Sequence, residues 1–182
     1  SFNQLNEIIK PHRKTNAPII FLVDHYFEDK PLANKIPLQG NDKLIFVDVT
    51  YEPKTTYVDK LANDLKEEFG TVSGVIGIGG GSAMDLAKAV SLMMNNEGSS
   101  ADYQGWDLVK NPGKFKIGVP TISGTGAEAS RTCVLMNYKK NLKLGMNSNF
   151  TIFDQLILDP ELSKSVPQEQ YFYSGIKNTR SK

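Results

Sequence analysis

The segment VIGIGGGSAMDLAKAV, residues 75–90, restricts the possible folds more than any other part of the chain. An apolar run rich in β-branched residues leads into three consecutive glycines, and a helix-like pattern with Leu86 and Val90 follows them. A tight turn normally needs only one glycine. Three in succession predict a strand followed directly by a helix, at a place where the backbone must approach another group closely.

Short apolar runs with the composition of buried strands recur along the chain. They cover residues 17–24, 43–49, 73–79 and 115–121. Helical patterns separate them, over residues 57–69, where Thr56 and Asp59 fit a capping box, and over residues 83–94. This alternation predicts a doubly wound α/β fold around a mostly parallel sheet. The patterns after Thr121 predict a hairpin and one more strand, so we expect an irregular β edge.

Composition and charge limit the partners that this chain can have. Its 182 residues suit a single domain, and 21 Lys and Arg against 20 Asp and Glu give no electrostatic reason to bind nucleic acid or an anionic membrane. No run approaches the roughly 18 apolar residues of a membrane span. The single cysteine, Cys133, cannot form an internal disulfide, and no signal-peptide pattern opens the sequence. We therefore expect a cytoplasmic protein with a small-molecule partner.

The glycine-rich turn is a candidate site for an anion. Ligands of open α/β sheets bind beyond the carboxyl ends of the strands, where a helix N-terminus presents unpaired N–H groups. Gly79, Gly80 and Gly81 would let the backbone approach a pyrophosphate, and Ser82 could cap the helix or donate its hydroxyl. The stretch matches neither the G-x-G-x-x-G pattern nor a Walker A loop. The alternative is a purely structural helix start in which Ser82 and Asp85 form a capping box.

A second polar stretch, VPTISGTGAEAS at residues 119–130, also follows a predicted strand. Thr121, Ser123 and Thr125 place hydroxyl groups among glycines at the same edge of the sheet, and two such turns suit a dinucleotide. The alternative is a helix cap made by Thr125 and Glu128.

Three further features have both a functional and a structural interpretation. Asp24, which ends the first predicted strand, could accept hydrogen bonds from a ribose diol and disfavour a 2′-phosphate, or it could simply form a turn. Residues 95–114 lack periodicity and are either a ligand-facing loop, with Trp106 expected to anchor it, or a surface insertion. Cys133 lies in an apolar run and is expected to be a small core residue.

Taken together, the motifs GIGGGSAMDLAKAV and VPTISGTGAEAS resemble the double signature of the metal-dependent, iron-type (group III) alcohol dehydrogenases, relatives of dehydroquinate synthase. Within this family, the sequence resembles the branch that includes 3-deoxy-manno-octulosonate 8-oxidase. The resemblance implies a dehydroquinate-synthase-like nucleotide-binding domain and NAD(P) as cofactor, with NAD favoured by Asp24. It assigns the cofactor pyrophosphate to Gly80, Gly81, Ser82 and Asp85, the diphosphate and nicotinamide ribose to Thr121, Ser123 and Thr125, and a position beside the cofactor to Lys143.

The resemblance also implies a domain organisation and an activity. Residues 1–160 correspond to the dinucleotide-binding domain, and residues 161–182 to the start of a linker to a helical metal domain that this chain lacks. Members of the family oxidise a primary alcohol, for which the terminal hydroxyl of a sugar acid is one candidate here. We expect either an NAD(P)-linked alcohol dehydrogenase or an inactive nucleotide-binding module, and in either case a homodimer.

The family's metal site is not expected within this chain. In the family, one Asp and three His hold a divalent Fe or Zn that activates the alcohol. The first ligands would follow the motif YFYSG, but Lys177 stands where the Asp is expected and Ser181 where the first His is expected. The two histidines, His12 and His25, are too few for the set.

Overall fold

The structure is a computed structural model of the chain and describes residues 1–14 and 16–164. Its centre is a sheet of five parallel strands. In their spatial order, these are β2 (Lys43–Val47), β1 (Ile19–Asp24), β3 (Gly74–Gly79), β5 (Phe115–Pro120) and β8 (Gln155–Leu156). The first four coincide with the predicted strands to within two residues at each end, because their apolar runs are long enough to cross the buried centre of the sheet.

The described residues form four α-helices, of which the second and third connect strands on one face of the sheet. The helices are α1 (Leu5–Ile9), α2 (Thr55–Phe69), α3 (Gly81–Met93) and α4 (Pro160–Ser163). Helices α2 and α3 bury a core with β1 and β3, whereas the other face is covered by the amino-terminal segment and by short turns that contribute Phe27, Leu32 and Ile36. Both faces are therefore covered, and the predicted doubly wound α/β fold is confirmed.

The capping box predicted for α2 is wrong. The helix begins at Thr55, with Lys54 before it, and no side chain caps it. Thr56 is already helical, and the Asp59 carboxylate instead accepts hydrogen bonds from Ser99 Oγ at 2.6 Å and from Ser100 N at 2.7 Å. Asp59 thus ties α2 to a distant segment, a contact that no local pattern could indicate.

The order of the strands reverses beside β1. From β1 the chain moves to β2 on one side, and it then crosses back through α2 to place β3 on the other side. The carboxyl ends of β1 and β3 consequently lie next to each other, with Asp24 ending one and Gly79 ending the other. In open α/β sheets this reversal leaves a crevice in which ligands bind.

A second, three-stranded sheet packs against α3. The predicted hairpin is present as the antiparallel strands β6 (Thr132–Asn137) and β7 (Leu142–Asn147), and β4 (Gly105–Trp106) pairs with β7 in parallel. The main sheet ends in β8, which has only two residues, as expected for an irregular edge. The sequence did not indicate that the hairpin belongs to a separate sheet.

Residues 95–114 are more ordered than their sequence suggested. They contain a 3-10 turn, Ser100–Tyr103, and β4. Asn96 and Gln104 are buried and donate hydrogen bonds to backbone carbonyls, and these polar side chains hold the segment in place. The expectation that Trp106 anchors the loop is wrong, because its side chain is 72% exposed, with the Arg131 guanidinium carbon 6.0 Å from the centre of its ring.

Two further findings bear on the sequence-based expectations. No helix among residues 1–14 and 16–164 has both the length and the apolarity to cross a membrane. Lys177, Ser181 and all but the first residues of the predicted linker lie outside the described part of the chain.

Candidate functional site

The glycine turn lies at the carboxyl end of β3, where three elements meet. Gly79 has a φ of +150°, and a Cβ there would lie 2.7 Å from Ala83 Cβ and 2.9 Å from Asp24 Cβ. Only glycine allows β1 and the first turn of α3 to approach the turn this closely. Gly77 has the same role deeper in the sheet, because a Cβ there would lie 2.7 Å from Ala87 Cβ on α3.

Helix α3 begins without a side-chain cap. Its N-cap is Gly80, and no side-chain hydrogen bond closes the helix start. The alternative in which Ser82 and Asp85 form a capping box is therefore wrong: Ser82 is the second helical residue, and Asp85 lies a turn further in. The first turn combines uncapped N–H groups, the positive end of a 13-residue helix and half-buried glycines, which together can hold an anion.

The second polar stretch lies directly beside this turn. Gly79 pairs with Pro120, and Thr121 N donates to Gly79 O at 2.9 Å. A Cβ on Gly81 would lie 3.3 Å from Thr125 Cβ, so the hydroxyl-rich loop contacts the start of α3. The prediction that the two motifs share one edge of the sheet holds in the structure.

The loop after β5 exposes only some of the predicted hydroxyls. Ser123 and Thr125 are exposed, whereas Thr121 is buried. The alternative of a helix cap is wrong, because residues 127–129 form a turn rather than a helix. Thr125 Oγ1 accepts from Ala127 N at 3.3 Å and donates to Glu128 Oε2 at 3.3 Å, so it stabilises that turn.

Asp85 connects α3 to the hairpin. Its carboxylate accepts a hydrogen bond from Val134 N in β6 at 3.1 Å. Burial raises the pKa of Asp85 to about 6, and the negative charge of Glu52 adds to this shift, whereas the bond from Val134 and the ammonium of Lys88 oppose it. Asp85 was predicted to contact the pyrophosphate, and the structure places it behind the uncapped turn.

Lys88 is the polar residue that sequence reasoning missed. It lies one turn after Asp85 and is fully buried. Its Nζ donates to the carbonyl oxygens of Ala127 at 2.6 Å, Ser130 at 2.9 Å and Thr132 at 3.0 Å. The available signal was a lysine within the otherwise apolar pattern of α3, where a charge needs buried partners.

Asp24 lies against the glycine turn, whereas Lys143 lies on β7. Asp24 Oδ1 accepts from Tyr26 N at 3.0 Å, so the turn-forming interpretation is correct, while its position beside Gly79 keeps the ribose interpretation open. The Lys143 ammonium contacts Glu52 at 2.5 Å. A cleft of about 420 Å³ adjoins this pair and is lined by Tyr51, Glu52, Lys54, Met136, Tyr138 and Lys143.

The described residues fit a dinucleotide better than a metal ion. The start of α3 is uncapped, a Cβ on the neighbouring glycines would occupy the space beside it, and hydroxyl groups lie nearby. These features match the needs of a pyrophosphate and its ribose. Within residues 1–14 and 16–164, no three His, Cys, Asp or Glu side chains group as metal ligands. Cys133 is buried in the core, and burial raises the pKa of its thiol, so it behaves as a small core residue as expected.

Comparisons with known proteins find similarity over most of this chain. Residues 1–160 match the family model described as iron-containing alcohol dehydrogenase. Sulfoacetaldehyde reductase of Bilophila wadsworthia is 35% identical over 147 residues, which make up 81% of this chain and 38% of that protein. Long-chain-alcohol dehydrogenase 1 of Geobacillus thermodenitrificans is 34% identical over 141 residues, or 76% of this chain and 35% of that protein.

Solved structures give the same result. Sulfoacetaldehyde reductase from Bifidobacterium kashiwanohense, in complex with NAD+, superposes with a TM-score of 0.75 at 28% identity and covers 91% of this chain. NADH-dependent butanol dehydrogenase A from Thermotoga maritima superposes with a TM-score of 0.81 at 25% identity and covers 96%. The chain spans 44% of the length of each of these two structures.

Proposed function

The chain belongs to the iron-containing alcohol dehydrogenase family, and from that premise we propose that its described residues bind NAD(H) for the interconversion of a primary alcohol and an aldehyde. When bound, the nicotinamide accepts a hydride from the alcohol carbon or returns one to the aldehyde. Because these residues do not fit a metal ion, the proposal for them is limited to the cofactor.

The observation that carries the proposal is the meeting of both motifs at the reversal of strand order. Gly79 ends β3 beside Asp24, and Thr121 N bonds to Gly79 O from the adjacent strand. In this arrangement the N–H groups at the start of α3 bind the pyrophosphate, and the Asp24 carboxylate accepts from the adenosine ribose. A negative charge at Asp24 repels a 2′-phosphate, so we propose NAD rather than NADP.

The proposal extends to the substrate, the oligomeric state and the cellular location. The resemblance to 3-deoxy-manno-octulosonate 8-oxidase makes a sugar acid one candidate, and the two sulfoacetaldehyde reductases make a short sulfonated aldehyde another. To distinguish these candidates, both compounds and a series of simple primary alcohols are tested as substrates. The change in NADH absorbance is the measurement. We also propose a homodimer and a cytoplasmic location, the latter because the single cysteine is a buried free thiol.

The second candidate function is a nucleotide-binding module that does not catalyse. The absence of a ligand group from the described residues favours it. Saturable NADH binding without NADH formation from NAD+ and any alcohol of the series, in the presence of Fe²⁺ or Zn²⁺, would support the module. NADH formation under the same conditions would support the enzyme.

The first test is a calorimetric titration of the 182-residue chain with NADH and with NADPH. We expect saturable binding of NADH, weaker binding of NADPH, and loss of both in Ser82→Trp, whose indole would fill the space in front of the uncapped turn. The matched control is Thr71→Trp. Thr71 is exposed and lies before the amino end of β3, at the end of the strand opposite the glycine turn. This control should bind as the original chain does.

Two results would contradict the proposal. One is a folded chain, shown by a cooperative thermal transition, that binds neither dinucleotide. The other is equal NADH affinity in Ser82→Trp and Thr71→Trp, which would place any binding site elsewhere.

A further inference from the structure

The buried ammonium of Lys88 donates hydrogen bonds to the backbone of the loop after β5. Its three N–H groups can satisfy the carbonyls of Ala127, Ser130 and Thr132, and Ser130 Oγ lies a further 3.3 Å from Nζ. Hydrogen bonds from a charged donor are stronger than neutral ones, and this donor is fully buried. One side chain therefore determines the path of six consecutive residues.

These contacts do not reach the candidate ligand site directly. Thr125, which contacts the start of α3, lies two residues before Ala127 and bonds to its N–H. On the other side of the loop, Val134 N bonds to Asp85, one turn before Lys88 on the same helix. The first turn of helix α3 thus forms one side of the candidate ligand site. Asp85 and Lys88, further along the same helix, bond to the segment that forms the other side.

We propose that Lys88 is a positioning residue for dinucleotide binding, which holds residues 121–132 at the distance from the glycine turn that the cofactor requires. The inference rests on the proposed cofactor function. Without the ammonium, three carbonyls lose their buried donor, and the loop moves toward water to satisfy them. Ser123 and Thr125 are then no longer held at a fixed position relative to the turn, and the affinity for the dinucleotide falls.

The chain offers a matched control in Lys116 on β5. Its side chain is only 6% exposed, and its Nζ lies 3.7 Å from Asp154 Oδ2 rather than against the loop. Burial lowers the pKa of both lysines. Lys116→Met therefore removes a similar buried ammonium and should cost comparable stability, but it leaves the contacts of residues 127–132 in place.

The experiment compares the original chain, Lys88→Met and Lys116→Met by two measurements. Hydrogen exchange follows the amides of Ala129 and Val134, which are bonded to Gly126 O and to Asp85. We expect exchange at least about tenfold faster in Lys88→Met and unchanged in Lys116→Met, with β1 amides as the internal reference. Calorimetry should give an NADH dissociation constant about tenfold higher in Lys88→Met only.

The two measurements separate the possible failures. If the original chain binds no NADH, the cofactor function fails, while hydrogen exchange still decides whether Lys88 positions the loop. If it binds NADH and both variants bind equally well, or if the loop amides exchange alike in both, the role of Lys88 is overturned. Should Lys88→Met not fold, Lys88→Gln retains one donor group and is measured in its place.

Discussion

The two turns that form the candidate site are built by different means. The glycine turn at residues 79–82 depends on the absence of side chains, since Gly79 leaves no room for a Cβ between β1 and α3. The loop at residues 121–132 depends on side chains supplied by another element, because Lys88 and Asp85 of α3 bond to its backbone and to the strand that follows it. The conformation of the first turn is therefore specified by its own residues, and that of the second by residues far from it in the sequence.

This difference predicts how each turn responds to mutation. A substitution in the glycine turn acts through steric contact. Its effect on the free energy of unfolding should be large where a Cβ has no space and negligible where it has space. A substitution in the support of the second loop acts through lost hydrogen bonds, so it should be graded and sensitive to protonation.

The largest effect is expected for Gly79→Ala. The new Cβ would lie within 3 Å of two other Cβ atoms, on Ala83 and Asp24, and would occupy a φ of +150° that is unfavourable for alanine. We expect the free energy of unfolding to fall by about 3 kcal/mol in urea denaturation.

The control for this prediction is Gly80→Ala, the same change one residue later. A Cβ there has ordinary contact with Ile122 at 3.5 Å, and φ is −79°. Its unfolding free energy should stay within about 1 kcal/mol of the original value. Equal losses in both variants would show that the turn is not limited by space at Gly79.

The second effect concerns the pH dependence contributed by Asp85. Its pKa is about 6 in the folded chain and 3.8 when unperturbed, so the folded state retains the proton that the unfolded state loses between these values. The unfolding free energy of the original chain should therefore fall by about 2 kcal/mol, relative to Asp85→Asn, as pH rises from 4 to 6.

Asp85→Asn suits this comparison because its side-chain oxygen can still accept from Val134 N. The unfolding free energy of both proteins is measured by urea denaturation at each pH. The difference between the two values cancels the contribution of the titrating groups that the proteins share. A difference between the two curves that does not change with pH would mean that Asp85 is hydrated in the folded chain and that its carboxylate is not part of the buried support.

The smallest effect is expected for Lys143→Gln, which breaks the ion pair with Glu52 at the cleft. Both partners are partly exposed, at 51% and 38%, so stability should change by less than about 1 kcal/mol. NADH affinity should fall by about threefold, because one positive charge is removed beside the predicted position of the anionic cofactor. Lys140→Gln, in the turn of the same hairpin, should leave affinity unchanged, and equal effects of both would assign Lys143 no specific role.

Much of this architecture could be predicted from the sequence because its causes are local. The apolar runs indicated four of the five strands of the main sheet, and the glycines indicated the start of α3. The bonding of Asp59, Asp85 and Lys88 could not be predicted, since each side chain bonds to a segment about 40 residues or more away. For the same reason, the proposed capping boxes at α2 and α3 were wrong: the spacing was present, but the carboxylates had partners elsewhere.

The sequence alone therefore determined the parallel sheet, the close approach of β3 and α3 and the presence of two polar turns, because strand burial and glycine sterics act over a few residues. Only the tertiary structure decided which groups face one another. The reversal of strand order brings Asp24 beside Gly79, and the fully buried Lys88 draws three carbonyls of the second loop toward α3. A buried charge must find its partners wherever the chain supplies them, and that choice is made by the fold as a whole.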